Sequence, residues 1–176
     1  MYKVIVLAEQ AMTASDAAEV VALHEAIEDR RHYHVLIPCE NAQLQVEAAL
    51  GSLAASETLA APAIITDEED TERAQQHIDA EAKTAVDVSV AAITRTGHEA
   101  SGEFSSDDPI DTLDALVKHH EADEVIVMTR PHVVQEFLHV DWASKARRRL
   151  GVPVLHLVEH ESLDAGADNG QGITGM

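Results

Sequence analysis

Apolar residues fall in two different registers along this chain. Residues 3–8, 33–38, 123–129 and 152–158 are short runs, rich in β-branched side chains, that end at polar or proline-containing junctions. Val4-Ile5-Val6-Leu7 and Val125-Ile126-Val127-Met128 are apolar at consecutive positions instead of alternating. That pattern predicts strands covered on both faces, as in a parallel sheet.

Between the runs the apolar spacing is helical. Over residues 15–31, Ala18, Val21, Ala22 and Ala26 line one face, with Thr13 or Ser15 as the cap and Arg30 and Arg31 at the end. Thr66-Asp67-Glu68-Glu69-Asp70 puts carboxylates at the positive end of a helix running to about residue 94 and stopping near Gly97. Its buried stripe is Ala74, Ile78, Ala82, Ala85 and Val86. Ser106-Asp107-Asp108-Pro109 opens a helix over 110–121 with Ile110, Leu113, Leu116 and Val117 inward. Asp141 opens the last helix, which ends in Arg147-Arg148-Arg149 before Gly151. A strand over 99–104 completes a set of five.

Strand–helix alternation predicts an α/β, doubly wound, Rossmann-like sheet with helices on both faces and ligands beyond the carboxyl ends of its strands. One domain spans residues 1–160. Within it, 41–66 is alanine-rich, with Leu44, Val46, Ala49 and Leu50 at helical spacing, and exceeds a normal connection; it reads as a helical insert or lid. The glycine-rich stretch 161–176 has little to bury and reads as a disordered tail.

Composition narrows the partners. With 32 acidic against 12 basic residues the formal charge is -20, which repels nucleic acid phosphates and anionic lipid headgroups. The excess of acid over lysine also suits concentrated salt, a reading that stands beside plain acidity. With two Phe, two Tyr and one Trp, the core must come from Val, Leu, Ile and Ala. A single cysteine, Cys39, forms no internal disulfide and points to a reducing compartment. No run approaches membrane-spanning length and the first residues do not read as a signal peptide, so the expected location is cytoplasmic.

Over about residues 2–159, and most clearly over 107–158, the sequence resembles the universal stress protein (UspA-like) family. The carriers are the Asp108-Pro109 helix start, then Glu121-Ala122-Asp123-Glu124-Val125-Ile126-Val127-Met128-Thr129-Arg130, then a helix, then Gly151-Val152-Pro153-Val154-Leu155. The resemblance implies a five-stranded parallel sheet of order 3-2-1-4-5. It also implies a homodimer paired through the last strand, by Val152, Val154, His156 and Val158.

In ATP-binding members the fourth strand is followed by a glycine, two residues, a second glycine, nine residues and Gly-Ser or Gly-Thr, whose amides cradle the phosphates. Here no glycine occurs from Thr129 to Leu150, and Asp141 stands near the place of the terminal Gly-Ser. A carboxylate there repels phosphate. Glu9 follows the first strand at about the place where the family commonly has an Asp near the adenine pocket.

The resemblance without its loop implies a non-catalytic stress-response module with no ATP and no other cofactor, in contact with an unidentified small ligand or protein partner. The candidate ligand-binding residues are Ala8, Glu9, Pro38, Thr129, Arg130, Pro131, His132 and Asp141, at the carboxyl ends of the predicted strands and the turn beyond them. Arg130 can receive an anion through two parallel hydrogen bonds, or instead pair with Glu136 or Asp141 and close the cleft. Trp142 and Phe137 read as a packing anchor or a ligand wall. No catalytic constellation is present.

Two alternatives remain. One is an adenine-nucleotide-binding protein or hydrolase using Arg130, His132 and Asp141 in place of the glycines. The other is a metal sensor using His32 and His34, which share one face of a strand. Strand-entry histidines at a polar edge are the plainer reading of that pair, and His119 and His120 read as cations capping a helix end.

Overall fold

Each apolar run becomes a strand, and their neighbours explain why both faces are apolar. A computed structural model describes residues 1–39, 68–130 and 140–158. Its strands are β1 (Tyr2–Ala8), β2 (Arg31–Pro38), β3 (Glu99–Ser105), β4 (Glu124–Thr129) and β5 (Val154–Val158). They form one sheet of order β3-β2-β1-β4-β5 in which every pairing is parallel. The helices are α1 (Ala14–Ala22), α2 (Glu68–Arg95), α3 (Pro109–His120) and α4 (Val140–Arg149).

The odd–even alternation of a strand divides the core into two layers. On one side Val4, Val6, Tyr33, Val35, Ile37, Ile126 and Met128 meet Ala17 and Val20 of α1 and Val86, Ala92 and Ile93 of α2. On the other, Ile5, Leu7, Leu36, Val125 and Val127 meet Ile110, Leu113, Leu116 and Val117 of α3 and Ala143 and Ala146 of α4. The central strands therefore have no solvated face, and their sequence shows no polar alternation.

Helix α3 follows its sequence closely. The Asp108 side chain accepts from the amides of Ile110 (2.9 Å) and Asp111 (3.0 Å), and Pro109 occupies the first helical position. Glu121 then turns left-handed (φ 52°) and ends the helix. Asp108→Ala removes the acceptor of two amides and is expected to cost about 1 kcal/mol in chemical denaturation. A change below about 0.3 kcal/mol would show that the cap contributes nothing.

Helix α1 departs from expectation: it stops at Ala22 instead of continuing to Arg31. The reason is tertiary. His24 turns inward to 2% exposure, beside the buried Glu124 of β4. A continuous helix would carry the chain past that position. Arg31 accordingly opens β2 and donates from Nη1 to His24 O (2.7 Å), while Arg30 pairs with Glu99 of β3.

The stripe predicted for α2 is shifted as well. Ala82 and Val86 are buried and Ala85 partly so, but Ala74 is exposed. Burial continues instead through Ser89, Ala92 and Ile93, toward the end of the helix that packs on β2 and β3. Gly97 (φ 92°) then supplies the left-handed residue that stops the helix. Residues 41–66 and 161–176 lie outside the described residues.

Candidate functional site

Strand order reverses between β1 and β4, so the carboxyl ends of these strands flank the crevice where ligands of open α/β sheets bind. Ala8 pairs with Met128 at that edge, and Thr129 is the last residue of β4. Pro38 closes β2 opposite Ser105 of β3. Four of the expected residues, Ala8, Glu9, Thr129 and Arg130, are thus neighbours at the switch point; Pro38 is one strand removed. Asp141 falls in the first turn of α4. Pro131 and His132, with Glu136 and Phe137, lie outside the described residues.

Among the described residues, four main-chain donors round this crevice are engaged by acceptors of the chain. Glu9 donates its amide to Met128 O (3.3 Å). The Arg130 amide, the first after β4, donates to Glu9 Oε2 (3.0 Å), so a carboxylate bridges the two strand ends. In the loop leaving β1, the Met12 amide donates to Ser89 Oγ of α2 (2.9 Å). The Thr13 amide donates to Asp16 Oδ2 (2.8 Å), and the Thr13 hydroxyl donates to the same oxygen (2.7 Å). Asp16, 1% exposed, in return donates its amide to Thr13 Oγ1 (3.2 Å), which completes a capping box.

Two of the four amides therefore hold carboxylates of the chain itself. A helix N-terminus and a strand-end turn are where an open α/β fold ordinarily offers amides to an anion. Asp16 and Ser89 are the residues sequence reasoning missed. The Thr13-x-x-Asp16 spacing is a capping signal that could have found the first; nothing local marks the second.

Trp142 packs against the layer formed with α3 and α4, in agreement with the packing-anchor reading. Cys39, half-buried beyond β2, donates its amide to Ser105 O (2.8 Å); burial and then Asp79 push its thiol up. On the β5 side, Thr129 Oγ1 lies 2.9 Å from His156 Nε2, tying the lip of the crevice to the edge strand. Burial and the Arg147 charge push the His156 imidazole down from its usual value.

His32 and His34 do share a face, but at the opposite, amino-terminal end of the sheet. Ser101 Oγ of β3 lies 3.1 Å from His32 Nε2 and 2.9 Å from His34 Nδ1. The His120 ring of α3 stacks on His34, with centroids 4.4 Å apart, and His119 meets His120 edge-on at 4.9 Å. Among the described residues no group of three or more His, Cys, Asp or Glu is arranged to hold a metal ion. Among them, too, no helix is long and apolar enough to cross a membrane.

No protein-family model matches the sequence, and no curated protein does. Solved structures do match. A universal stress protein UspA from Lactobacillus plantarum superposes with TM-score 0.56 at 16% identity, over 90% of this chain and 98% of that one. A universal stress protein family member from Arabidopsis thaliana, solved with AMP bound, gives TM-score 0.54 at 15% identity over 96% and 97%. One from Burkholderia pseudomallei gives 0.51 at 15% over 88% and 95%. Identities this low speak for architecture alone. Together with the β3-β2-β1-β4-β5 order and helices on both faces, they establish that the chain has the universal stress protein (UspA-like) fold.

Proposed function

We propose that the chain is a non-catalytic binding or regulatory module of the universal stress protein type, cytoplasmic and homodimeric, whose crevice takes a small ligand other than ATP. The observation that carries this reading is the engagement of the amides of Glu9, Met12, Thr13 and Arg130 by acceptors within the chain. A triphosphate would have to displace Glu9 and Asp16 or lie beside them, against like charge in a partly desolvated site. The absence of glycine from 129 to 150 works in the same direction, since side chains keep the main chain from wrapping a phosphate. Ala8, Glu9, Pro38, Thr129, Arg130, Pro131, His132 and Asp141 are the proposed ligand contacts.

The homodimer part of the proposal rests on the edge strand β5. Among the described residues β5 is an outer strand of the sheet, Leu155 and Val158 are exposed there by 38% and 51%, and such an edge carrying exposed apolar side chains suits a second copy of itself. In this arrangement Val152, Val154, His156 and Val158 lie along the seam.

One observation favours a second reading. The Arabidopsis structure holds AMP, which supports an adenine-nucleotide-binding protein or hydrolase in which Arg130, His132 and Asp141 replace the glycines. Calorimetric titration with ATP and Mg²⁺, AMP and adenosine separates the two. The expected result is no ATP binding tighter than about 1 mM. A Mg²⁺-dependent ATP affinity in the low micromolar range, abolished by Arg130→Ala, would reject the first reading and install the second.

A further inference from the structure

The amino-terminal end of the sheet holds an unusual concentration of imidazole. His32 and His34 of β2 face α3, whose last two residues are His119 and His120. His34 is 6% exposed, and its Nε2 is buried without a hydrogen-bond partner, 3.7 Å from Glu103 Oε2 of β3. From β1, Lys3 Nζ donates to His120 O (2.8 Å) and lies 3.8 Å from Glu121 Oε2, and the Lys3 amide donates to Asp123 Oδ2. Ser101 of β3 joins the two β2 histidines through one hydroxyl. That hydroxyl has one proton to give, so it can donate to only one of the two rings.

We propose that these four histidines form an acid-opened joint between β2 and α3, in which protonation of His34 releases the last turn of α3 from the sheet. The closed joint excludes the proton for three reasons. His34 has lost its water; His32, His119 and His120 stand round it; and Lys3 adds a fixed positive charge on the far side of His120. Against them stands Glu103, 3.7 Å from His34 Nε2, whose side chain is 48% exposed and therefore screened, while Glu121 and Asp123 lie beside Lys3.

Any positive charge on the neighbouring rings raises the cost of charging His34 further. Burial, then His120, His32 and His119, push the His34 imidazole down to about 4. Burial and the His119 and His32 rings also push His120 down, partly offset by Glu103.

The sign follows from that depression. The open state binds a proton to His34 near the ordinary value of about 6.5, the closed state only near 4. The stability of the joint is therefore complete above pH ~6.5 and is lost as pH falls toward 4. Opening one helical turn requires breaking the Lys3–His120 hydrogen bond and the His34–His120 stack, whereas the upper turns stay anchored by Ile110 and Leu113.

Hydrogen exchange on the full chain, corrected for intrinsic rate, tests the joint. Between pH 7.5 and 5.0 the opening constant for the amides of 117–121 is expected to rise about 30-fold relative to those of β1 and β4. His34→Leu should remove the rise. His34→Gln, which can keep a hydrogen bond to Ser101, serves if the leucine variant does not fold. His77→Gln, on the exposed face of α2, should keep the full rise. The proposal is overturned if last-turn amides are as protected at pH 5.0 as at 7.5. It is equally overturned if His34→Gln opens as the wild type does, or if protection is lost equally in β1 and β4.

Discussion

Gly102→Val is expected to destabilise the fold by about 3 kcal/mol, the upper range for forcing extra atoms into a filled core. Gly102 sits in β3 opposite Val35 of β2, with α2 passing over it. A Cβ at this position would lie 2.8 Å from Val35 O, 2.9 Å from Val86 Cγ1 and 3.1 Å from Val90 Cγ2. The two side chains can move by a rotamer change, but the carbonyl cannot, because it belongs to a strand paired on both edges. Either β3 must separate from β2 or α2 must lift from both. The midpoint of thermal unfolding should fall by about 6–12 °C for a chain of this size. Gly151→Ala is the matched control: nothing lies within 4 Å of its Cβ, so it should stay within about 0.5 kcal/mol of the wild type. A Gly102→Val loss below 1 kcal/mol would show that α2 does not pack as tightly on β3 as described.

The same position shows where sequence reading ends. A glycine in a strand signals a bulge or a close approach, but which backbone approaches is settled only when α2 and β2 arrive from other parts of the chain. The central strands were legible because covering both faces leaves an apolar residue at every position, as in Val4 to Leu7 and Val125 to Met128. Helix α3 was legible because Asp108, Pro109 and its apolar stripe are all local signals. Helix α1 was misjudged beyond Ala22 because what stops it is a contact between His24 and Glu124, a hundred residues apart in sequence.

The candidate crevice divides along the same line. Topology alone locates it at the ends of β1 and β4. Two of the acceptors that fill its amides are a carboxylate 121 residues from Arg130 and a hydroxyl 77 residues from Met12. His32 and His34 were correctly read as sharing a face, since period two settles that. Their company, His120 and Glu103, comes from α3 and β3 and turns a polar edge into a crowded, half-dry cluster.

Glu124→Ala is expected to cost about 3 kcal/mol, because it strips the acceptor from the buried His24 and the half-buried Tyr2. Glu124, 8% exposed at the start of β4, accepts from Tyr2 OH (2.9 Å) and lies 3.2 Å from His24 Nε2. His24 is held between two tyrosines, its ring centroid 5.7 Å from those of both Tyr2 and Tyr33, so it cannot swing out to water without opening the layer under α1. Glu124→Gln keeps the shape and an acceptor oxygen but removes the charge, and pH separates that contribution. Burial first, then the hydrogen bond and charge of Glu124, push the Tyr2 phenol up to about 12. A folded-state value above the unfolded one means that the native chain holds the proton longer. Stability is therefore intact below pH ~10 and falls as pH rises from there through 12. In Glu124→Gln the phenol should return toward its ordinary value. That variant should be weaker than wild type at pH 8 yet lose less stability between pH 8 and 11 in denaturant titrations. If the two proteins lose stability in parallel above pH 10, Glu124 is not what holds the Tyr2 proton.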